Sequence, residues 1–328
     1  MNSRDALIDA FLVASDWPGA VRAPLAGDAS FRRYERITLD DRKAVLMDAP
    51  PDHEDVRPFV AIGRYLRDRG YSAPDILAAD EDNGFLLLED LGDGLFETLL
   101  PDHGDEMTLY AGAIDILIDL HAMAPAISVP PYDDAKMLDE VGRLLGWYMP
   151  AVAGVTPDDA SCADFFDAWR QVLPLARQVP DTLVLMDYHA PNLLWLPDRE
   201  GLRQVGLLDF QDATIGPLAY DVASLLEHPR RDVAPTTVSA MKARYLAGRP
   251  ELDPEAFNIA YAVMGAQRNS RIVGTFARLW QRDGKAWYLD HLPRLWRLLE
   301  GNLSDPALAP VKDWFDHAIP ADKRGRPV

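Results

Sequence analysis

The chain has 328 residues, 48% hydrophobic and 26% charged, a balance that excludes a disordered chain and allows either two lobes or one large domain. Its formal net charge of −19 opposes a phosphate backbone, so nucleic acid is not expected as a partner. The single cysteine, Cys162, permits no internal disulfide and no cysteine-based zinc cluster, which suits a reducing cytoplasm.

Near the start, Asp5 and Asp9 interrupt the apolar pattern and no basic segment leads into an apolar run, so no signal peptide is expected. A short helix is expected from Asp5 to Ser15, followed by a glycine-bearing turn at Gly27 to Ser30. Arg36 to Leu39 and Ala44 to Met47 read as strands, with Asp40-Asp41 as their hairpin turn. Val56, Phe59, Ile62, Gly63 and Leu66 recur at helical spacing up to Arg69, and Gly70 is placed to stop that helix. Phe85 to Leu88 reads as a buried strand running into Glu89, Asp90, Leu91 and Gly92.

Beyond residue 92 the pattern turns helical, with Leu109, Ala113, Ile116, Leu117 and Leu120 on one stripe. Asp115, Asp119 and His121 break that apolar stretch, so no membrane span is expected. Helical patterns return at Ala163 to Arg177, Val238 to Leu246, Phe257 to Trp280 and Leu292 to Leu299. Three short apolar runs interrupt them: Leu183 to Met186, Leu193 to Leu196 and Val205 to Leu208, the last two joined by the turn-rich Pro197 to Gly201. Lys323 to Val328 is expected to fray.

The chemistry concentrates in Leu185-Met186-Asp187-Tyr188-His189-Ala190-Pro191-Asn192 and the later Asp209-Phe210-Gln211. Both acidic residues directly follow apolar strands, which hold a side chain rigidly at a strand end. A lone Asp-x-x-x-x-Asn is commonly a turn pair bonding its own backbone. The added hairpin and the second Asp-Phe change that reading. Phosphoryl transfer needs an acceptor hydroxyl in line with the γ-phosphate and cations on the phosphate oxygens, and hard oxygen ligands suit Mg²⁺.

Asp187 and Asn192 match the Asp and Asn of the kinase H-R-D-x-x-x-x-N loop, and Asp209-Phe210-Gln211 stands in the place of D-F-G. With the following Gly216-Pro217-Leu218-Ala219-Tyr220-Asp221-Val222-Ala223, the sequence resembles aminoglycoside and choline phosphotransferases. Gly27 to Tyr34, Ala44 to Pro51 and Leu87 to Gly92 look like the N-acetylmuramate/N-acetylglucosamine anomeric kinases of cell-wall recycling, and the resemblance spans roughly residues 20 to 300.

The resemblance implies an α+β, protein-kinase-like fold: a small β-rich lobe over residues 1–90 that binds nucleotide, and a larger, mainly helical lobe over 91–328 for catalysis and the acceptor. It further implies an ATP- and Mg²⁺-dependent kinase of an amino sugar, cytoplasmic, monomeric or weakly dimeric. Asp187 would orient or deprotonate the acceptor, and Asn192 and Asp209 would bind Mg²⁺. Gly27, Ser30, Phe31, Arg32 and Arg33 would cover the phosphates, and the backbone from Glu89 to Leu91 would meet adenine. Asp221 would brace the catalytic loop by accepting backbone hydrogen bonds. His189, Arg268, Arg271 and Trp147 are candidates for the acceptor, an arginine there matching the lactyl carboxylate of N-acetylmuramate.

Three positions depart from the pattern: Leu185 replaces the His of H-R-D, Gln211 replaces the Gly of D-F-G, and Met47 stands where kinases carry a strand lysine. The last leaves Arg32, Arg33 and Lys43 as alternatives for the phosphate-clamping cation. It also keeps open a kinase of another alcohol (aminoglycoside, choline or homoserine) and a non-catalytic nucleotide-binding protein.

Overall fold

The computed structural model describes residues 4–25, 31–100 and 105–326. In chain order the first elements are α1 (Arg4–Ala14), β1 (Val21–Pro24), β2 (Arg33–Leu39), β3 (Arg42–Asp48), α2 (Arg57–Asp68), β4 (Ile76–Asp80), β5 (Phe85–Glu89) and the short α3 (Phe96–Leu99). Next come α4 (Glu106–Ala122), α5 (Asp134–Arg143), a π-helical segment (Leu144–Ala153), α6 (Asp159–Val172), β6 (Asp181–Val184), β7 (Leu193–Trp195), β8 (Val205–Leu207) and β9 (Thr214–Pro217). The chain closes with α7 (Ala219–Leu226), α8 (Pro235–Gly248), α9 (Pro254–Asp283), α10 (Leu292–Leu303) and α11 (Ala309–Ala318).

These elements form two compact units, Met1–Asp105 with Ala190–Asp212, and Glu106–His189 with Ala213–Val328. The division differs from the single break expected after residue 90. The chain returns to the first unit at Ala190 because the β7–β8 hairpin bonds there: Leu194 bridges Leu95, Gly206 bridges Ser72, and Arg199 pairs with Glu89 at 2.5 Å.

The first unit is built on an antiparallel sheet in the order β1-β2-β3-β5-β4. Leu39 pairs with Arg42, which leaves Asp40-Asp41 as a two-residue turn, and Asp40 takes the positive φ of 54° that such hairpins use. One sheet face carries Ile37, Ala44, Leu46, Phe85 and Leu87 and buries them against Ile8, Phe11 and Leu12 of α1. The sheet's edges are β1 and β4; β4 was not expected from sequence, and neither was β9 in the second unit. An edge strand needs no continuous apolar run and tolerates the proline that ends β1, so its sequence signal is weak.

The second unit is helical and organised on α9, whose 30 residues bury side chains from Phe257 to Leu279. Helix α9 packs on α5, α7 and α10. At Gly274 an added Cβ would lie 2.4 Å from the Arg143 carbonyl carbon, so only glycine permits this close helix crossing. Strands β6 and β9 pair antiparallel, Val184 opposite Thr214. The expectation of a frayed tail is corrected as far as Arg326: the Gly325 N–H donates to the Tyr148 hydroxyl at 3.0 Å, and Arg324 pairs with Asp316 at 2.8 Å. Tyr148 is fully buried and accepts from Trp296 at 2.8 Å, so it belongs to the core. No described helix is long and apolar enough to cross a membrane.

Candidate active site

Asn192 and Asp209 are delivered by the β7–β8 hairpin of the first unit. Leu193 pairs with Leu207, so the flanking residues also meet, and the Leu208 N–H donates to the Asn192 carbonyl at 2.9 Å. The side chains converge accordingly, with Asn192 Nδ2 3.4 Å from Asp209 Oδ2. Asp209 Oδ1 accepts from Gln211 Nε2 at 2.9 Å and from Arg32 Nη1 at 3.2 Å. Asp209 has a φ of 56°, a left-handed conformation that is uncommon outside glycine. Its neighbour Phe210 fixes the turn by stacking on Phe59 of α2, ring centroids 4.7 Å apart. A Cβ on Gly63 would stand 3.3 Å from the same ring, so this helix position leaves just enough room for it.

Asn192 and Asp209 fit a hard divalent cation in donor chemistry, since each carries a side-chain oxygen and the two sit together on a rigid hairpin. Among the described residues no cluster of three or more His, Cys, Asp or Glu side chains offers a metal cage. A cation held here would take its remaining ligands from water and from phosphate oxygens, as Mg²⁺ commonly does.

Asp187 belongs to the second unit and is placed through its backbone. The fully buried Asp221 of α7 accepts from the Leu185 N–H at 2.6 Å and from the Met186 N–H at 3.0 Å. Met186 is thereby held at a φ of 67°, strained for a residue with a side chain. The Asp187 N–H closes a tight turn onto the Leu185 carbonyl at 2.8 Å, and the Tyr188 hydroxyl donates to the Ala113 carbonyl at 2.8 Å. Leu185, in the place of the kinase histidine, contributes an N–H that any residue could supply.

The electrostatics around Asp187 are set by α9. Arg268 is buried, donates to the Glu227 carbonyl at 3.2 Å and attracts Asp187. Burial pulls its pKa below the ordinary value, and Arg271 adds to that. Arg271 also interacts with Asp187, and it pairs with Glu140 at 3.6 Å. Burial works against the Glu140 carboxylate, but Arg271 and the Tyr132 hydroxyl, which donates to it at 2.6 Å, hold its pKa below the usual range.

His189 stacks on His228, ring centroids 5.3 Å apart. Burial, His228 and the guanidinium groups of Arg268, Arg230 and Arg271 push the His189 pKa well below 6.5, and burial with Arg230 and Arg268 does the same for His228. Both imidazoles are neutral at pH 7. His189 Nδ1, His228 Nε2 and Arg268 Nε are all buried without a hydrogen-bond partner.

Of the residues expected from sequence, Arg32, Asn192 and Asp209 come together in the first unit, and Asp187, His189, Arg268 and Arg271 in the second. Arg33 instead pairs with the buried Asp48 at 2.5 Å, and the exposed Phe31 stacks on His53 at 4.3 Å. The Glu89 carboxylate is committed to Arg199 and to Arg67, the latter at 3.1 Å, while Leu91 is half-buried over Gly206. Trp147 is half-buried in the π-helical segment. Gln267 is a core residue bonded to Tyr132 and Met137. Gly27 and Ser30 lie outside the described residues. Glu54, which pairs with Arg32 at 3.3 Å, and His228 went unread because neither belongs to a motif.

A model of the phosphotransferase enzyme family, APH, matches residues 21–254. The chain belongs to this family. It is 38% identical to the N-acetylmuramate/N-acetylglucosamine kinase of Caulobacter vibrioides, across 98% of this chain and 99% of that protein. The enzyme of the same name from Pseudomonas aeruginosa is also 38% identical, over 90% of this chain and 88% of its own. Among solved structures, the choline kinase LicA from Streptococcus pneumoniae superposes with a TM-score of 0.65 at 14% identity, covering 92% of this chain and 99% of its own. The chain is therefore a phosphotransferase with the α+β, protein-kinase-like fold of that family.

Proposed function

We propose that this phosphotransferase moves the γ-phosphate of ATP onto the anomeric C1 hydroxyl of N-acetylmuramate or N-acetylglucosamine, in the cytoplasm and for the recycling of peptidoglycan sugars. The observation that carries the choice of acceptor is the cationic surrounding of Asp187, in which Arg268 and Arg271 both bear on its carboxylate and on His189. A polycationic aminoglycoside is repelled by such a site, whereas the lactyl carboxylate of N-acetylmuramate matches a guanidinium fork. The names of the two enzymes that share 38% of its residues support the same acceptor.

In this reading the C1 oxygen attacks the γ-phosphorus, the bond from that phosphorus to the β–γ bridging oxygen breaks, and ADP leaves. Asp187 accepts the hydroxyl hydrogen bond, aims the oxygen and takes its proton as the bond to phosphorus forms. Its rigidity, set by Asp221, matters because positioning supplies most of the rate in phosphoryl transfer. Asn192 and Asp209 would hold a Mg²⁺, which would neutralise charge on the phosphate oxygens. The backbone from Glu89 to Leu91 receives adenine, and Arg32 meets the phosphates. Arg268 takes the acceptor carboxylate, since its buried Nε has a donor to spare.

The test is phosphorus NMR on mixtures of protein, ATP and Mg²⁺ with N-acetylmuramate, N-acetylglucosamine or kanamycin. A new anomeric phosphate on the amino sugars is expected. Turnover of kanamycin alone, or of none of the three, overturns the reading.

A further inference from the structure

Met47 occupies the position at which related kinases place a lysine on the third strand, and it is a core residue, 1% exposed. Three cations lie in the neighbouring sequence, and the sheet separates them. Residues 33, 35, 37 and 39 of β2 point to the face covered by α1, which is where Arg33 meets Asp48 and Arg4 meets the same carboxylate at 2.6 Å. Arg33 is thereby on the wrong face. Lys43 shares the face of Met47 but stands four residues along β3, roughly 13 Å away at the strand rise. Tyr34 is on the Met47 face as its direct cross-strand partner, and Arg32, just before β2, is brought to that side by its side-chain hydrogen bond with Tyr34.

Arg32 is the cation whose contacts suit the task. Its side chain is 11% exposed, and it reaches Asp209 Oδ1 at 3.2 Å and Glu54 Oε2 at 3.3 Å. Tyr34 hydrogen-bonds the same guanidinium. A lysine on β3 would present one cation to the phosphates and be steadied by one carboxylate. Arg32 with Glu54 reproduces that pairing from the start of β2 and the loop before α2.

We infer, on the reading that the donor is ATP, that Arg32 supplies the phosphate-binding cation of this enzyme in place of the strand lysine, and that Glu54 positions it. The exchange is consistent with the rest of the sheet. Arg32 enters from the strand paired with β3 and carries a longer, forked head, so position 47 is free to be apolar and packs as methionine. Its present contact with Asp209 places the guanidinium at the carboxylate expected to hold the metal, where the β- and γ-phosphates must also come. The three acceptors of Arg32 are then shared with the nucleotide, and the phosphates bind most strongly to a cation already oriented.

The test compares equilibrium binding of ATP and of AMP, by calorimetry, to the wild-type chain, Arg32→Met, Arg33→Met and Glu54→Gln. Arg32→Met is expected to weaken ATP binding by about ten- to a hundredfold while AMP binding changes less than about twofold, because AMP lacks the phosphates that the guanidinium holds. Glu54→Gln is expected to give a smaller loss with the same selectivity for ATP, and Arg33→Met no selective loss. A second variant guards against a merely structural effect: Met47→Lys in the Arg32→Met chain should restore part of the ATP affinity. Equal weakening of ATP and AMP by Arg32→Met, unchanged ATP affinity, or a selective loss in Arg33→Met instead would each overturn the assignment. Failure of the wild-type chain to bind ATP at all would refute the ATP reading itself, a separate outcome.

Discussion

In the first unit Asp209 is surrounded by donors carried on side chains, namely Arg32, Gln211 and Asn192, and its own side chain is 39% exposed. In the second unit Asp187 is placed by a neighbour: a fully buried carboxylate, Asp221, pins the two preceding N–H groups. A carboxylate that is to take a metal would have to exchange donors for it, and rotatable partners would allow that. A group that aims a hydroxyl at a phosphorus must not drift, so its backbone is fixed from beneath. The two acidic residues look alike in sequence, each after a short strand, but one is surrounded by side-chain donors and the other is fixed through its backbone.

The sharpest way to break this comparison is to neutralise each carboxylate in turn. Asp187→Asn is expected to lower kcat by about 10²–10⁴-fold with ATP affinity unchanged, as loss of a general base does. Asp209→Asn should instead raise the Mg²⁺ concentration needed for half-maximal ADP release. If the Asp187 variant turns over normally, or if both variants shift the Mg²⁺ requirement alike, the division of labour is wrong.

Asp221→Ala removes the brace without touching the proposed reacting groups. It leaves the Leu185 and Met186 N–H groups buried and unpaired, at about 1–3 kcal/mol each. A thermal melt should therefore fall by several degrees, and the strained φ at Met186 should relax with loss of kcat. A stable variant with normal kcat would mean that Asp187 is positioned by something else.

Much of this arrangement could be read from the sequence. Asp187, Asn192 and Asp209 announce themselves through spacing, and the hairpin that joins the last two follows from the apolar runs around Pro197 to Gly201. Edge strand β4 stayed hidden because it buries little, and α5 because its apolar stripe is brief. The return of residues 190–212 to the first unit rests on three separate contacts with Ser72, Glu89 and Leu95, which no local pattern encodes. Glu54 and His228 were invisible for the same reason, since a partner distant in sequence leaves no periodic trace.

Smaller in effect is the acceptor end. Arg268→Lys keeps the charge but loses the fork, and the ratio of kcat/KM for N-acetylmuramate over N-acetylglucosamine should drop by about tenfold or more. Because one protein supplies both values, partial unfolding cancels from the ratio. An unchanged ratio would move the carboxylate contact to Arg271 or away from α9.

The smallest expected effect tests whether the imidazoles beside Asp187 are truly kept neutral. His189 and His228 have pKa values depressed below 6.5 by burial and by the surrounding arginines. The unfolded chain therefore takes up protons first as the pH falls. Their contribution to stability is fully present above about pH 6.5 and is lost below it, with a slope of up to ~1.4 kcal/mol per pH unit for each imidazole. Glu227 has the opposite sign: burial raises its carboxyl pKa, so its contribution is lost as the pH rises. Comparing His228→Asn with the wild type separates the two, because Glu227 is common to both chains. Between about pH 7.5 and pH 5.5 the wild-type melting temperature should drop more steeply than that of the variant. Parallel curves would mean that His228 titrates as it does in solvent.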